Sequence, residues 1–152
     1  MSLYIELTSD PMAMGFSPYI TTRNDAMLEQ LLNDTSKFTI KGWVSVSQFN
    51  TWCASNNAEY LNIKNIATNT ASPYFAAAEA ILRTLTGSLS QGSLNLTDSN
   101  VMNLLNAWPF VDTTGATKAA LIALGTFPAS RAQILGIPAS LNDISTALNR
   151  GY

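Results

Sequence analysis

The fold of this chain is decided by residues 72–87, which read Ser-Pro-Tyr-Phe-Ala-Ala-Ala-Glu-Ala-Ile-Leu-Arg-Thr-Leu-Thr-Gly. Ser72 suits a helix N-cap, and Gly87 supplies a left-handed stop. Between these ends, apolar residues recur at the i, i+3, i+4, i+7 spacing of one helix face, and Ala78 lies in the middle of that face. We therefore predict a central, largely buried, Ala-rich helix with Ser72, Ala78 and Gly87 as its structural residues.

Shorter helical patterns flank this stretch on both sides. Three pairs have the form of a capping box: Thr22 with Asp25, Ser45 with Gln48, and Ser140 with Asp143. Short helices are expected near residues 2–9, 23–33, 45–56, 60–67, 98–108, 114–124, 128–135 and 140–151. The predicted fold class is all-α: a compact single domain, residues 1–152, of seven to nine short helices around the central helix.

Residues 37–46 break the helical pattern. Phe38, Ile40 and Trp43 are strand formers placed around Gly42 without a helical period, so we expect a short extended arm or hairpin. Aromatic residues serve protein cores and protein interfaces alike. Two interpretations of Trp43 therefore remain, a contact to another subunit and an ordinary packed residue. The candidate interface consists of Phe38, Ile40 and Trp43.

The composition describes an unusual surface. Charged residues make up 12% of the 152 residues, about half of the usual share, so Asn, Thr, Ser and Gln must cover most of the exterior. A weakly charged exterior repels neighbours little and suits a protein that packs against other subunits, although an ordinary domain with few charges fits the composition as well. The net charge of -2, without any Lys/Arg cluster, argues against a nucleic-acid partner.

The side chains that most catalytic sites require are missing. The chain has no histidine and one cysteine, Cys53, which follows Trp52 on the apolar face of a predicted helix and is expected in the core. Most acidic residues stand at predicted helix starts, where capping explains them. We therefore expect no enzyme, no catalytic residue, no metal, no cofactor and no small-molecule substrate. An enzyme that uses carboxylates alone is the remaining catalytic alternative.

The sequence predicts neither a signal peptide nor a membrane-spanning segment. The N-terminus lacks a basic start followed by a long apolar core, and the longest apolar run, near residues 119–124, is too short to span a bilayer. We expect no membrane partner, and synthesis in the cytoplasm.

Two short segments resemble a known family. The first is Asp10-Pro11-Met12-Ala13-Met14-Gly15-Phe16, before a helix that ends Leu31-Leu32-Asn33, and the second is Ser130-Arg131-Ala132 with Leu135-Gly136. Their order and spacing are similar to those of small, mostly uncharacterised tailed-bacteriophage proteins with an N-terminal Asp-Pro-x-x-x-Gly-(Phe/Tyr) motif and a C-terminal Ser-Arg-Ala-x-x-Leu-Gly motif. The chain departs from that pattern at Met14 and Phe16, where Arg and Tyr are common, and through residues 38–69.

The resemblance implies a protein encoded among virion and tail genes, and it carries no catalytic residue over. We expect a non-enzymatic virion structural protein, a tail, tail-fibre or capsid-associated subunit, which packs against other virion proteins and against itself. It would be made in the host cytoplasm and reside in the virion. The alternative is a phage-encoded cytoplasmic protein that binds and blocks a host factor.

Arg131, in the second motif, is expected to have a structural partner. It lies in the first turn of a predicted helix, where the helix dipole favours acids rather than cations. Its guanidinium should therefore bind carbonyl groups at the end of a neighbouring helix or a carboxylate such as Asp10. The alternative is a solvated side chain.

Overall fold

The computed structural model describes residues 2–85 and 93–151. Within them the chain forms ten helices: α1 (Leu3–Ser9), α2 (Ser17–Thr21), α3 (Asp25–Asn33), α4 (Val46–Ser55), α5 (Asn57–Thr68), α6 (Phe75–Leu85), α7 (Ser99–Ala107), α8 (Ala116–Leu124), α9 (Arg131–Leu135) and α10 (Leu141–Arg150). Four short strands accompany them: β1 (Phe38–Lys41), β2 (Trp43–Ser45), β3 (Ser93–Asn95) and β4 (Thr126–Ala129). The chain is mostly helical, as predicted.

The fold is not purely α, which corrects the predicted class. The arm near residues 37–46 forms two strands, and each belongs to its own two-stranded sheet, β1 with β4 and β2 with β3. Both partners are distant in sequence, so no local pattern could indicate the pairing. The ten described helices also exceed the expected seven to nine, because Pro18 starts the additional short helix α2 in a stretch read as a loop.

Contacts group the chain into two compact units. Unit 1 combines Met1–Ile40 with Pro128–Tyr152, and unit 2 is Lys41–Phe127. The boundaries fall within β1 and β4. The expectation of a single domain over residues 1–152 stays a prediction.

Unit 1 has a core built from α1, α3, α10 and the loop before α2. Its most deeply buried large side chains are Leu7, Phe16, Leu28, Leu32 and Ile144. Asn33 at the end of α3 donates from Nδ2 to the carbonyl of Ala139 at 3.0 Å, which ties α3 to the segment before α10. Both chain segments of the unit therefore contribute to one hydrophobic core.

Unit 2 has a second core, which is rich in aromatic residues. Phe49 and Trp52 of α4 stack with ring centroids 5.3 Å apart, and Tyr74 meets Trp108 edge-on at 5.7 Å. The indole N–H of Trp52 donates to the carbonyl of Thr117 at 3.2 Å. Trp52 and Trp108 are buried, in agreement with their assignment to the core.

Most helix starts follow the local rules of capping. The predicted capping boxes of Ser45 with Gln48 and of Ser140 with Asp143 are both formed. The predicted box of Thr22 with Asp25 is wrong, because Thr22 ends α2 and the side chain of Asn24 caps α3 instead.

The predicted central helix is shorter and less buried than expected. It begins at Phe75, because the hydroxyl of Ser72 accepts from the N–H of Tyr74 within a turn that precedes the helix. Among the described side chains of α6, Ala78 is fully buried and the others are half-buried or exposed. The helix packs mainly against α5 and lies in unit 2, so its other side faces away from the core. Gly87 lies outside the described residues.

Candidate interaction surface

Trp43 is exposed because of its position in β2. The strand pairs antiparallel with β3, and Trp43 lies opposite Asn95. Side chains alternate between the two faces of a strand. Val44 is therefore fully buried in the core of unit 2, whereas Trp43 is 57% exposed. An indole on the outer face presents a large apolar area of the kind that is enriched at protein interfaces.

Phe127 is a second exposed aromatic residue of unit 2, and its ring lies against Gly42, the residue before Trp43. The N–H of Gly42 donates to the carbonyl of Gly125 at 2.8 Å, and a Cβ on Gly42 would stand 2.9 Å from Cε2 of Phe127. The Phe127 ring thus covers Gly42, and 42% of the residue remains exposed. A side chain at position 42 would therefore have to displace this ring.

Lys41 adds a positive charge two residues before Trp43. It is exposed, and its Nζ lies 3.8 Å from the sulfur of Met102. The segments that carry the three side chains, residues 35–58 and 113–142, contain no Asp or Glu. We call the three exposed residues Lys41, Trp43 and Phe127 the Trp43 surface; it combines two aromatic side chains with one cation.

The other two predicted interface residues are placed differently. Ile40 is 42% exposed in β1. Phe38 is half-buried and packs against the hydrophobic core of unit 1, so it contributes to the fold and does not belong to the exposed set. The sequence could not separate them, because both occupy the same strand and the same kind of pattern.

Arg131 forms a buried ion pair, although not with the predicted acid. Its Nε donates to one carboxylate oxygen of Glu6 at 2.6 Å and its Nη2 to the other at 3.0 Å. The Glu6 side chain is 0% exposed and that of Arg131 is 11% exposed. The hydrogen bond to Glu6 raises the pKa of Arg131 above its usual value. This bidentate pair joins α1 to α9 within unit 1.

Asp10 is not the partner of Arg131 because backbone groups occupy its carboxylate. One oxygen accepts from the N–H of Met14 at 2.6 Å, and the other accepts from Gly15 at 2.8 Å and from Phe16 at 3.3 Å. Asp10 itself adopts a left-handed φ of 41°. The Asp-Pro motif therefore holds a tight loop that places Phe16 in the core of unit 1.

Unit 2 contains a comparable structural carboxylate, Glu59. It is 2% exposed and accepts hydrogen bonds from the backbone N–H groups of Val111 and Asp112, the latter at 3.2 Å. Asp112 in turn accepts from the N–H of Thr117 at 2.9 Å and from Thr114, and these hydrogen bonds hold its pKa well below the usual range. Both acids fix the loop before α8.

The remaining groups with reactive chemistry are buried or scattered. Burial raises the pKa of the Cys53 thiol to about 11, which keeps it protonated at neutral pH. Among residues 2–85 and 93–151, no three His, Cys, Asp or Glu side chains gather as a metal site would require. In the same part of the chain, no helix has the length and apolar character needed to cross a membrane.

Sequence reasoning missed three residues that matter in the structure. Glu6 and Glu59 are buried acids, and their partners lie 125 and 52 residues away along the chain. Phe127 was assigned to no element, although Gly125 followed by Thr, Phe and Pro is a signal of an edge strand. The predicted helix of residues 128–135 is correspondingly wrong at its start, because Pro128 and Ala129 extend β4 and α9 begins at Arg131.

Comparison with known proteins assigns no family. No protein-family model matches the chain, and no curated protein and no solved structure is significantly similar to it.

Proposed function

We propose that this chain is a non-enzymatic structural protein of a tailed-bacteriophage particle, a tail, tail-fibre or capsid-associated subunit that acts by packing against other proteins. The observation that carries the proposal is the Trp43 surface. Its two aromatic side chains stand 57% and 42% exposed on a chain that otherwise buries its tryptophans. Exposed aromatic residues of this kind are the usual anchors of protein interfaces.

The engaged carboxylates support a structural role rather than a catalytic one. Glu6, Asp10, Glu59, Asp112 and Asp143 all accept hydrogen bonds from backbone or side-chain donors that hold loops and helix ends in place. The resemblance of the two short motifs to tailed-phage proteins supports the virion assignment, with the host cytoplasm as the place of synthesis.

Quantitative mass spectrometry of purified particles tests the proposal. We expect the chain at a fixed copy number per particle after gradient purification and washing in high salt. If the chain is absent from particles but abundant in the infected cytoplasm, the virion role is wrong, and the alternative of a phage protein that blocks a host factor takes its place.

A further inference from the structure

Unit 1 carries an open groove of about 330 Å³ between α1, α10 and the segment before α10. Its floor is apolar and consists of Leu3, Ile137, Pro138 and Ala147. That volume lies at the lower end of the roughly 300–1,000 Å³ of ligand pockets, so the groove has room for one large side chain.

Asp143 gives this groove a negative charge. It lines the groove at the start of α10, and one of its oxygens accepts from the backbone N–H of Ser140 at 3.0 Å and from the Ser140 hydroxyl. These hydrogen bonds lower the pKa of the carboxyl, so it stays ionised at neutral pH. A second groove of about 350 Å³, between α4 and α8, has no carboxylate among the described residues that line it.

The groove and the Trp43 surface carry opposite charges, Asp143 in the groove and Lys41 two residues before Trp43 in the sequence, and the groove has room for an indole ring. We propose that Trp43 of one copy of this chain inserts into the groove of a second copy, with Lys41 facing Asp143. The proposal deepens the proposed function, because it names a second copy as the packing partner.

Such a contact is head-to-tail, because the inserted side chain and the groove are different surfaces. In such a pair, one copy keeps an unused groove and the other keeps an unused Trp43 surface. The same contact can therefore be repeated along a row of subunits. One side chain in one groove buries far less than the roughly 800 Å² per partner of a stable interface. We therefore expect weak association in dilute solution, which becomes strong where many copies are held together. The net charge of -2 causes only weak repulsion between copies of the chain.

Sedimentation equilibrium of the full chain at up to millimolar concentration tests the contact. The average mass should rise above the 16.4 kDa of one chain, and should fall again at high salt, which screens the ion pair. Trp43→Ser removes the inserted side chain, and Thr146→Arg blocks the half-exposed wall of the groove. Each variant should weaken association at least tenfold, whereas Leu61→Ser, at a 48% exposed position on α5, should not.

Mixing the two defective variants gives the decisive result. Because one retains the groove and the other retains Trp43, an equimolar mixture should form a pair of one copy each and nothing larger. A mixture that stays monomeric, or a Thr146→Arg variant that associates like the wild type, overturns the inference. If Thr146→Arg does not melt like the wild type, Asn142→Arg on the same groove replaces it. A wild-type chain that stays monomeric yet is found in particles overturns this inference alone, and the proposed function stands.

Discussion

At the scale of single residues, the ion pair between Arg131 and Glu6 ties α9 to α1 within unit 1. The pair is buried, so neither charge can be rehydrated if the other is removed. Its position also explains why a cation is tolerated in the first turn of α9, where the helix dipole disfavours it.

We expect Arg131→Ala to lower the free energy of unfolding by about 3–5 kcal/mol, the range for breaking a buried pair and leaving one charge unpaired. Arg131→Lys should recover only part of this loss, since one ammonium group cannot reproduce the bidentate geometry. Chemical denaturation measures both. The matched control is the double variant Glu6→Leu with Arg131→Met, which removes both charges and should be much more stable than Arg131→Ala. A double variant as unstable as the single one would contradict this account.

Asp112 is the residue at which stability should depend on acid. Its folded pKa lies below the ordinary value of 3.8, so the stabilisation is complete above about pH 4 and is lost as the pH falls through the folded pKa.

Thermal melts of Asp112→Asn should therefore fall below those of the wild type by a constant amount between pH 5 and 8, a window set by this linkage. The difference should shrink below about pH 4, because the unfolded wild type then binds a proton at Asp112 that the folded carboxylate still resists. Glu79→Gln, which removes an exposed ion pair on α6, should differ little from the wild type at any of these pH values. A difference for Asp112→Asn that grows as the pH falls would refute the assignment.

At the scale of elements, α6 joins its unit through one side only. Ala78 has no exposed surface, whereas Ala80, two positions later, is exposed. The pair therefore gives a matched comparison of the same substitution on the two sides of one helix.

Ala78→Asp should destabilise the chain by about 3–5 kcal/mol against a total of about 5–15 kcal/mol, because it buries a carboxylate without a partner. Ala80→Asp should change stability by less than about 1 kcal/mol, since its charge stays in water. Urea denaturation followed by circular dichroism measures both. Equal effects of the two substitutions would mean that the buried face of α6 is assigned wrongly.

Local signals in the sequence predicted the elements better than their partners. The capping boxes at Ser45 and Ser140 form as expected because both members of each box lie within four residues. The partner of Arg131 was predicted to be carbonyl groups of a neighbouring helix end or a carboxylate such as Asp10. It is Glu6, because backbone donors that only the folded loop brings together occupy Asp10. The pairing of β1 with β4 and of β2 with β3 likewise depends on contacts across distant segments.

The candidate surface could be predicted only in part. The sequence singled out Trp43 because it stands in a non-helical arm, and the alternation along β2 places it outward. Phe127 comes from β4, more than 80 positions away, and reaches Gly42 only because the two segments cross there. The groove in unit 1 arises from packing between α1 and α10, for which the sequence carries no signal.

At the scale of the whole molecule, we attribute function to exposed side chains and the stability of the fold to buried charges. Trp43 lies outside both hydrophobic cores, so its removal should leave stability unchanged while it removes an interface. Leu61 offers the control, because it is a similarly exposed apolar residue on a different element, α5.

The most direct measurement is the copy number of this chain in purified particles that are assembled with Trp43→Ser or with Leu61→Ser. Both variants should melt like the wild type. The account predicts that Leu61→Ser enters particles at the wild-type copy number and that Trp43→Ser is lost from them at least tenfold. Wild-type incorporation of a folded Trp43→Ser chain would contradict the central claim that this surface is how the protein packs.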